Sequence, residues 1–262
     1  MKIATFNVNS VKARLPNLVQ WLKEAEPDLV CLQELKCVDE AFPREAIEEL
    51  GYNVEVHGQK TYNGVALLSR HPLEDVTRGL PGDDADDHAR YIEAVVCVGE
   101  QAVRIASIYL PNGNPTGTEK FDYKLRWLDR LRDHARELLE NEELLVLAGD
   151  YNVIPTADDV YDPEAWRDDA LFHIKSRLKF NELMALGFTD AFRACHSEPH
   201  RYSFWDYQAG AWAKDRGLRI DHLLLSPQAA DRLSGADIDR KVRGREKPSD
   251  HVPVWITLDL DA

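Results

Sequence analysis

An α/β fold built on mixed or antiparallel sheets is expected for this chain, on three observations. Short apolar runs bounded by Gly, Pro, Asn or Asp recur along its whole length and read as buried strands, roughly ten of them. Helical periodicity is confined to three or four stretches, and neighbouring strands are often joined as hairpins, which argues against a doubly wound parallel sheet. No glycine-rich dinucleotide or P-loop fingerprint is present. A chain of 262 residues can bury a sizeable core, and no linker-like stretch divides it, so residues 1–262 are expected to form one domain.

In chain order, residues 2–8 read as a strand, and Ser10 can cap a helix whose Val11, Leu15, Leu18 and Leu22 share a face. Pro27 ends that helix, and residues 28–34 form a second buried strand. A short helix near 43–50 stops at Gly51, after which 52–57 alternates as a half-buried strand and 64–69 forms another. Residues 91–98 and 103–109 flank Gly99-Glu100-Gln101, a hairpin signal. The clearest helix spans about 119–140, with Phe121, Leu125, Leu128, Leu131, Ala135 and Leu138 at helical spacing. It leads into Leu144-Leu-Val-Leu-Ala-Gly149-Asp150-Tyr-Asn152, an uncharged strand ending in two oxygen-bearing side chains. Gly149 is expected to supply a sharp backbone change there. A helix near 176–186 ends at Gly187, and strands are expected over 219–225 and 252–258.

Composition limits the functional classes. With 44% hydrophobic and 30% charged residues the chain is an ordinary globular protein. No apolar run approaches the roughly 18 residues of a membrane span, and the N-terminus enters a strand at once, leaving no room for a signal peptide. The cysteines form no Cys-x-x-Cys pair, and Cys31 and Cys97 sit in apolar strand patterns, so buried free thiols in a reducing cytoplasm are expected. A net charge of −14 excludes nonspecific coating of nucleic acid. Base concentrates at Arg240, Lys241, Arg243, Arg245 and Lys247, with Lys214 and Arg216 a smaller group. These are the expected anion-gripping loops, whereas Lys120, Lys124 and Arg126 on the long helix read as solvated.

Polar side chains recur where strands end: Asn7, Glu34, Tyr109, Asp150 with Asn152, Asp221, and Asp250 with His251. Each alone fits an ordinary role as a turn residue, ion-pair member or packed aromatic. Together, if those ends converge, they place four carboxylates in one pocket, where like charges resist joint ionisation. A hard divalent cation, Mg²⁺ or Mn²⁺, resolves that conflict in an oxygen-rich set.

These residues, in this order, resemble exonuclease III-type AP endonucleases of the endonuclease/exonuclease/phosphatase superfamily. The matching phrases are Asn7, Leu-Gln-Glu34, Tyr109-Leu-Pro-Asn112-Gly, Gly149-Asp150-Tyr-Asn152, Arg219-Ile-Asp221 and Lys247-Pro-Ser-Asp250-His251, and the match runs from Met1 to Trp255. The resemblance implies a four-layer α/β-sandwich, two packed mixed β-sheets flanked by helices. It implies a monomeric, Mg²⁺-dependent hydrolase acting on duplex DNA, 5′ to abasic sites and at 3′ ends. Glu34 would be the principal metal ligand, with Asn7, Asp150, Asn152, Asp250 and His251 lining the site. Asp150, positioned by Asn7, or else His251, held by Asp221, would be the base. Asn112 and Asn152 would donate to the phosphate, and Tyr109 would orient it or assist the leaving group. Phe204 and Trp205 would pack against an extruded sugar or a base step; of the basic run before Asp250, Arg243 and Arg245 are expected from their charge and position to hold DNA. Two departures bear on substrate: Asn114-Pro115-Thr116 stands where some members carry a DNA-reaching arginine, and Leu218 where strongly abasic-specific members have tryptophan. A lipid or inositol phosphate phosphoesterase of the same fold is the alternative enzyme. A non-catalytic nucleic-acid-binding relative would have lost Glu34, Asp150 or His251, and all three are present.

Overall fold

The computed structural model describes residues 1–260, so the last two residues of the expected 1–262 domain lie outside the described residues. In chain order the elements are β1 (Lys2–Asn7), α1 (Val11–Ala25), β2 (Leu29–Gln33), α2 (Arg44–Glu48), β3 (Asn53–His57), β4 (Val65–Ser69), β5 (Glu74–Arg78), β6 (Tyr91–Val98), β7 (Gln101–Tyr109), α3 (Glu119–Leu139) and β8 (Leu144–Asp150). They continue as α4 (Pro163–Trp166), α5 (Ile174–Met184), β9 (Thr189–Asp190), α6 (Ala191–Cys195), β10 (Asp221–Leu225), α7 (Pro227–Ala230), β11 (Leu233–Ile238) and β12 (Val254–Leu258). Two six-stranded mixed sheets result, ordered β11-β12-β1-β2-β4-β3 and β5-β6-β7-β8-β10-β9.

The sheets pack face to face, and strand parity divides their side chains between two apolar layers. In β8, Val146 and Ala148 join the core between the sheets. Leu145 and Leu147 instead meet Trp127, Leu128 and Leu131 of α3 and Phe180 and Leu183 of α5, which form an outer layer. On the other sheet α1 buries Leu18, Trp21 and Leu22, with Trp21 edge-on to Phe6. Ser10 caps α1 by accepting from the Ala13 amide. This is the four-layer arrangement that the resemblance implies.

Register then sets the site. β8 lies between parallel β7 and antiparallel β10, so Asp150 is flanked by Tyr109 and Asp221. In the facing sheet Asn7 pairs with Gln33, immediately before Glu34. Because β12 pairs antiparallel with β1 from Val254 against Thr5, the Asp250-His251 turn falls at the same end. One parity places Asp150 and Asp221 on the face that looks across to Asn7.

Several expectations need correction. The strands β5, β9 and β11 carry weak or interrupted alternation and were not expected, so Asp221 opens the third-last strand and not the penultimate one. Gly149 makes no sharp turn; it lies inside β8, where an added Cβ would stand 2.0 Å from the Ile108 carbonyl oxygen of β7. Glycine is needed there for close approach, while the backbone change comes at Asn152, with a φ of 46°. Cys31 is a buried free thiol, but Cys97 is exposed near the end of β6. Among the described residues no helix is long and apolar enough to cross a membrane.

Candidate active site

Where the two sheets end, one amide joins two carboxylates. The Asn7 Nδ2 donates to Glu34 Oε1 and to Asp150 Oδ2, both at 2.9 Å, while its Oδ1 accepts from the Asn9 amide at 3.0 Å. With Nδ2 joined to both carboxylates and Oδ1 to the Asn9 amide, Asn7 holds Glu34 and Asp150 in place. Glu34, Asp150 and His251 present ligand atoms within 4.8 Å of one another, a group that could hold a metal ion. Asp250 is not in that group; its Oδ1 accepts from Asn9 Nδ2 at 3.0 Å. Glu34 lies in the left-handed region with a φ of 53°, as do Asn9, Lys36 and Asn152.

Next to the carboxylates stands a histidine with acids on both sides. His251 Nδ1 is 2.9 Å from Asp221 Oδ2, and its Nε2 is 3.7 Å from Asp150 Oδ2. Burial disfavours the imidazolium, but Asp221 and Asp150 outweigh it and raise the pKa well above that of a free imidazole. Asp150 is raised too, above all by burial and then by Asp221, although His251 opposes the shift. Ser203 Oγ donates to Asp221 at 2.5 Å, fixing the carboxylate that holds the histidine. Phe204 packs edge-on against the imidazole, with centroids 4.9 Å apart.

Glu34 is held below the usual carboxylate range, because the Lys36 ammonium at 2.9 Å and the Asn7 amide overcome its burial. Tyr109 is pushed the other way, first by burial and then by the charges of Glu34 and Asp150, so its phenol stays protonated. The two asparagines are joined, with Asn112 Nδ2 donating to Asn152 Oδ1 at 3.3 Å and Asn152 Nδ2 to the Leu110 carbonyl at 2.9 Å. A hollow of about 280 Å³ opens beside Glu34 and Tyr109, lined also by Lys36, Tyr62, His88 and Arg90.

Three expected DNA contacts are turned inward. Trp205 is fully buried, edge-on to Trp212 at 4.9 Å, and touches no open surface. Arg243 is buried and donates to the Trp205 carbonyl at 3.0 Å. Arg245 bonds the Asn17 carbonyl and pairs with Glu24. Their donors are committed to holding the 3-10 turn Arg240–Gly244 against α1 and the 205–212 loop. Conversely, Lys124, expected to be solvated, is wholly buried and donates to the carbonyls of Asn112 at 3.0 Å and Asn152 at 2.5 Å. The helical spacing Phe121, Lys124, Leu128 could have signalled it, since that spacing shares a face. Beneath the site, Asp159 accepts from Arg219 at 2.7 Å, and Arg219 also pairs with Asp190 at 2.9 Å and meets His222.

Comparison with known proteins agrees with this geometry. Residues 4–251 match the Endonuclease/Exonuclease/phosphatase family. Exodeoxyribonuclease III of Haemophilus influenzae is 34% identical, covering 97% of this chain and 98% of that protein. An AP endonuclease from Archaeoglobus fulgidus is 37% identical with a TM-score of 0.93, over 99% of this chain and 100% of the other. A Neisseria 3′ phosphatase solved with a product DNA hairpin is 39% identical with a TM-score of 0.94, over 99% of each chain.

Proposed function

This chain belongs to the endonuclease/exonuclease/phosphatase family, and we infer that it is a DNA-repair nuclease hydrolysing phosphodiesters of duplex DNA 5′ to abasic sites and trimming 3′ ends. The carrying observation is the array Glu34–Asn7–Asp150–His251–Asp221 at the rim where both sheets end. The whole chain acts as one catalytic domain, as a monomer in the cytoplasm.

The donor set fits a hard cation: Glu34 and Asp150 bring carboxylate oxygens together, and Mg²⁺ prefers such ligands with several waters retained. Glu34, kept ionised by Lys36 and Asn7, would hold it, with Asp150 alongside. The ion would neutralise phosphate charge and stabilise the leaving alkoxide. The protein's own groups do the rest. His251, held by Asp221 and lying beside Asp150, donates to a phosphoryl oxygen, which leaves the part of base to Asp150. Asp150, whose affinity for a proton burial has raised, takes one from the attacking water while Asn7 fixes its carboxylate. Asn112 and Asn152 offer amide donors to the phosphate, and the Tyr109 phenol, still protonated, orients it. Phe204, against His251, flanks the space for an extruded sugar.

The test is incubation with a duplex carrying one abasic analogue, in Mg²⁺ and in EDTA, with both new ends mapped. Cleavage 5′ to the lesion, leaving a 3′-hydroxyl and abolished by EDTA, is expected. Intact duplex together with hydrolysis of an inositol phosphate would overturn the reading.

A further inference from the structure

We propose that Lys124 is a positioning residue for the phosphate-facing asparagines, tying their two loops together from beneath. The proposal rests on the functional reading above, in which Asn112 and Asn152 face the phosphate. Lys124 sits on the inner face of α3 in line with Phe121 and Leu128, a position at which Leu or Met would satisfy packing alone. Its side chain is wholly buried and makes no ion pair among the described residues; burial lowers its pKa to about 7, although the charges of Asp150 and Asp169 oppose that shift. Burying an amine is costly unless it is hydrogen-bonded, so this one has a use that packing does not explain. Both its hydrogen bonds go to main-chain carbonyls, one in each loop: Asn112 at 3.0 Å and Asn152 at 2.5 Å.

The loop lies directly on the lysine stem. Gly113 has a φ of 85°, and a Cβ there would come within 2.6 Å of Lys124 Cδ. Above, the asparagine side chains bond to each other at 3.3 Å; below, the ammonium bonds their carbonyls. The result is a closed ring that sets the spacing and aim of two amide donors. Lys124 touches no position that substrate could reach, so it acts only through them.

The experiment is a double-mutant cycle on the abasic duplex at saturating Mg²⁺. Lys124→Met should lower kcat by about 100-fold, the scale of a misplacement near 1 Å, with KM changed far less. In an Asn112→Ala, Asn152→Ala background the same substitution should cost only a few-fold, because the groups it positions are gone. Lys124→Gln, which keeps a donor, should recover part of kcat. An equal fold-loss in both backgrounds overturns the proposal, as does a lowered Tm with kcat intact. Failure of both variants to fold assigns the lysine to stability and equally overturns it. An active wild type with an unimpaired Lys124→Met sinks this proposal alone, whereas a wild type inactive on the abasic duplex sinks the functional reading.

Discussion

At the scale of single residues, the site depends on how carboxylates are kept apart in charge while close in space. Glu34 is surrounded by donors and stays ionised, whereas Asp150 is buried against other acids and is drawn toward protonation. Glu34→Gln removes the better anionic ligand without changing shape. It should weaken Mg²⁺ binding by calorimetry and lower turnover by orders of magnitude while the fold survives. Unchanged Mg²⁺ affinity would refute its role. Asp150→Asn and His251→Ala break one unit, so each should lose most of kcat and the double variant scarcely more. Additive losses, read as kcat of the three variants, would assign them to separate steps. The carboxylates and the histidine were legible in the sequence because polar side chains recur at one strand end after another, although each alone fits an ordinary role. Lys124 was not, because a lysine on a long amphipathic helix looks the same whether its amine reaches solvent or a carbonyl. Nor were Trp205, Arg243 and Arg245, whose inward orientation is decided by a loop that no periodicity describes.

At the scale of elements, β8 is the axis. It was legible because all seven of its residues are buried and apolar patterning is then continuous. The edge strands β5 and β11 were not, since β5 buries no residue fully and β11 interrupts its buried residues with Gly235 and Asp237. A Cβ at Gly149 would meet the Ile108 backbone of β7, so Gly149→Ala should cost about 3 kcal/mol by chemical denaturation. It should also lower activity by parting Tyr109 from Asp150. The turn after β8 is braced by Asp159 on Arg219 and Arg193. These cations hold the Asp159 carboxyl far below its usual range despite its burial. A carboxyl with a lowered folded pKa stabilises fully above its unfolded value near pH 4 and loses that contribution as pH falls further. Asp159→Asn should therefore destabilise by about 3 kcal/mol at pH 7, and the difference from wild type should shrink below about pH 4. A Tm difference independent of pH would contradict this.

At the scale of the whole molecule, a protein of net charge −14 acts on a polyanion. The basic run before Asp250 cannot supply the attraction through Arg243 or Arg245, whose donors are spent internally. Arg243→Glu should accordingly lower Tm by several degrees while leaving the salt slope of kcat/KM in the folded fraction unchanged. A flattened slope at unchanged Tm would restore it as a phosphate contact. Attraction then falls to cations not so committed, such as the exposed Lys241 and Lys247 of the same run and Arg90 in the hollow beside Glu34. The central claim is that the strand-end array breaks the phosphodiester, with Asp150 as its base. The measurement that meets it most directly is single-turnover cleavage of an abasic duplex in Mg²⁺ by wild type and Asp150→Asn, with DNA affinity measured in parallel. Wild type should incise 5′ to the lesion, and the variant should do so at a rate at least about 1000-fold lower at nearly equal affinity. Incision by Asp150→Asn at close to the wild-type rate would contradict that claim.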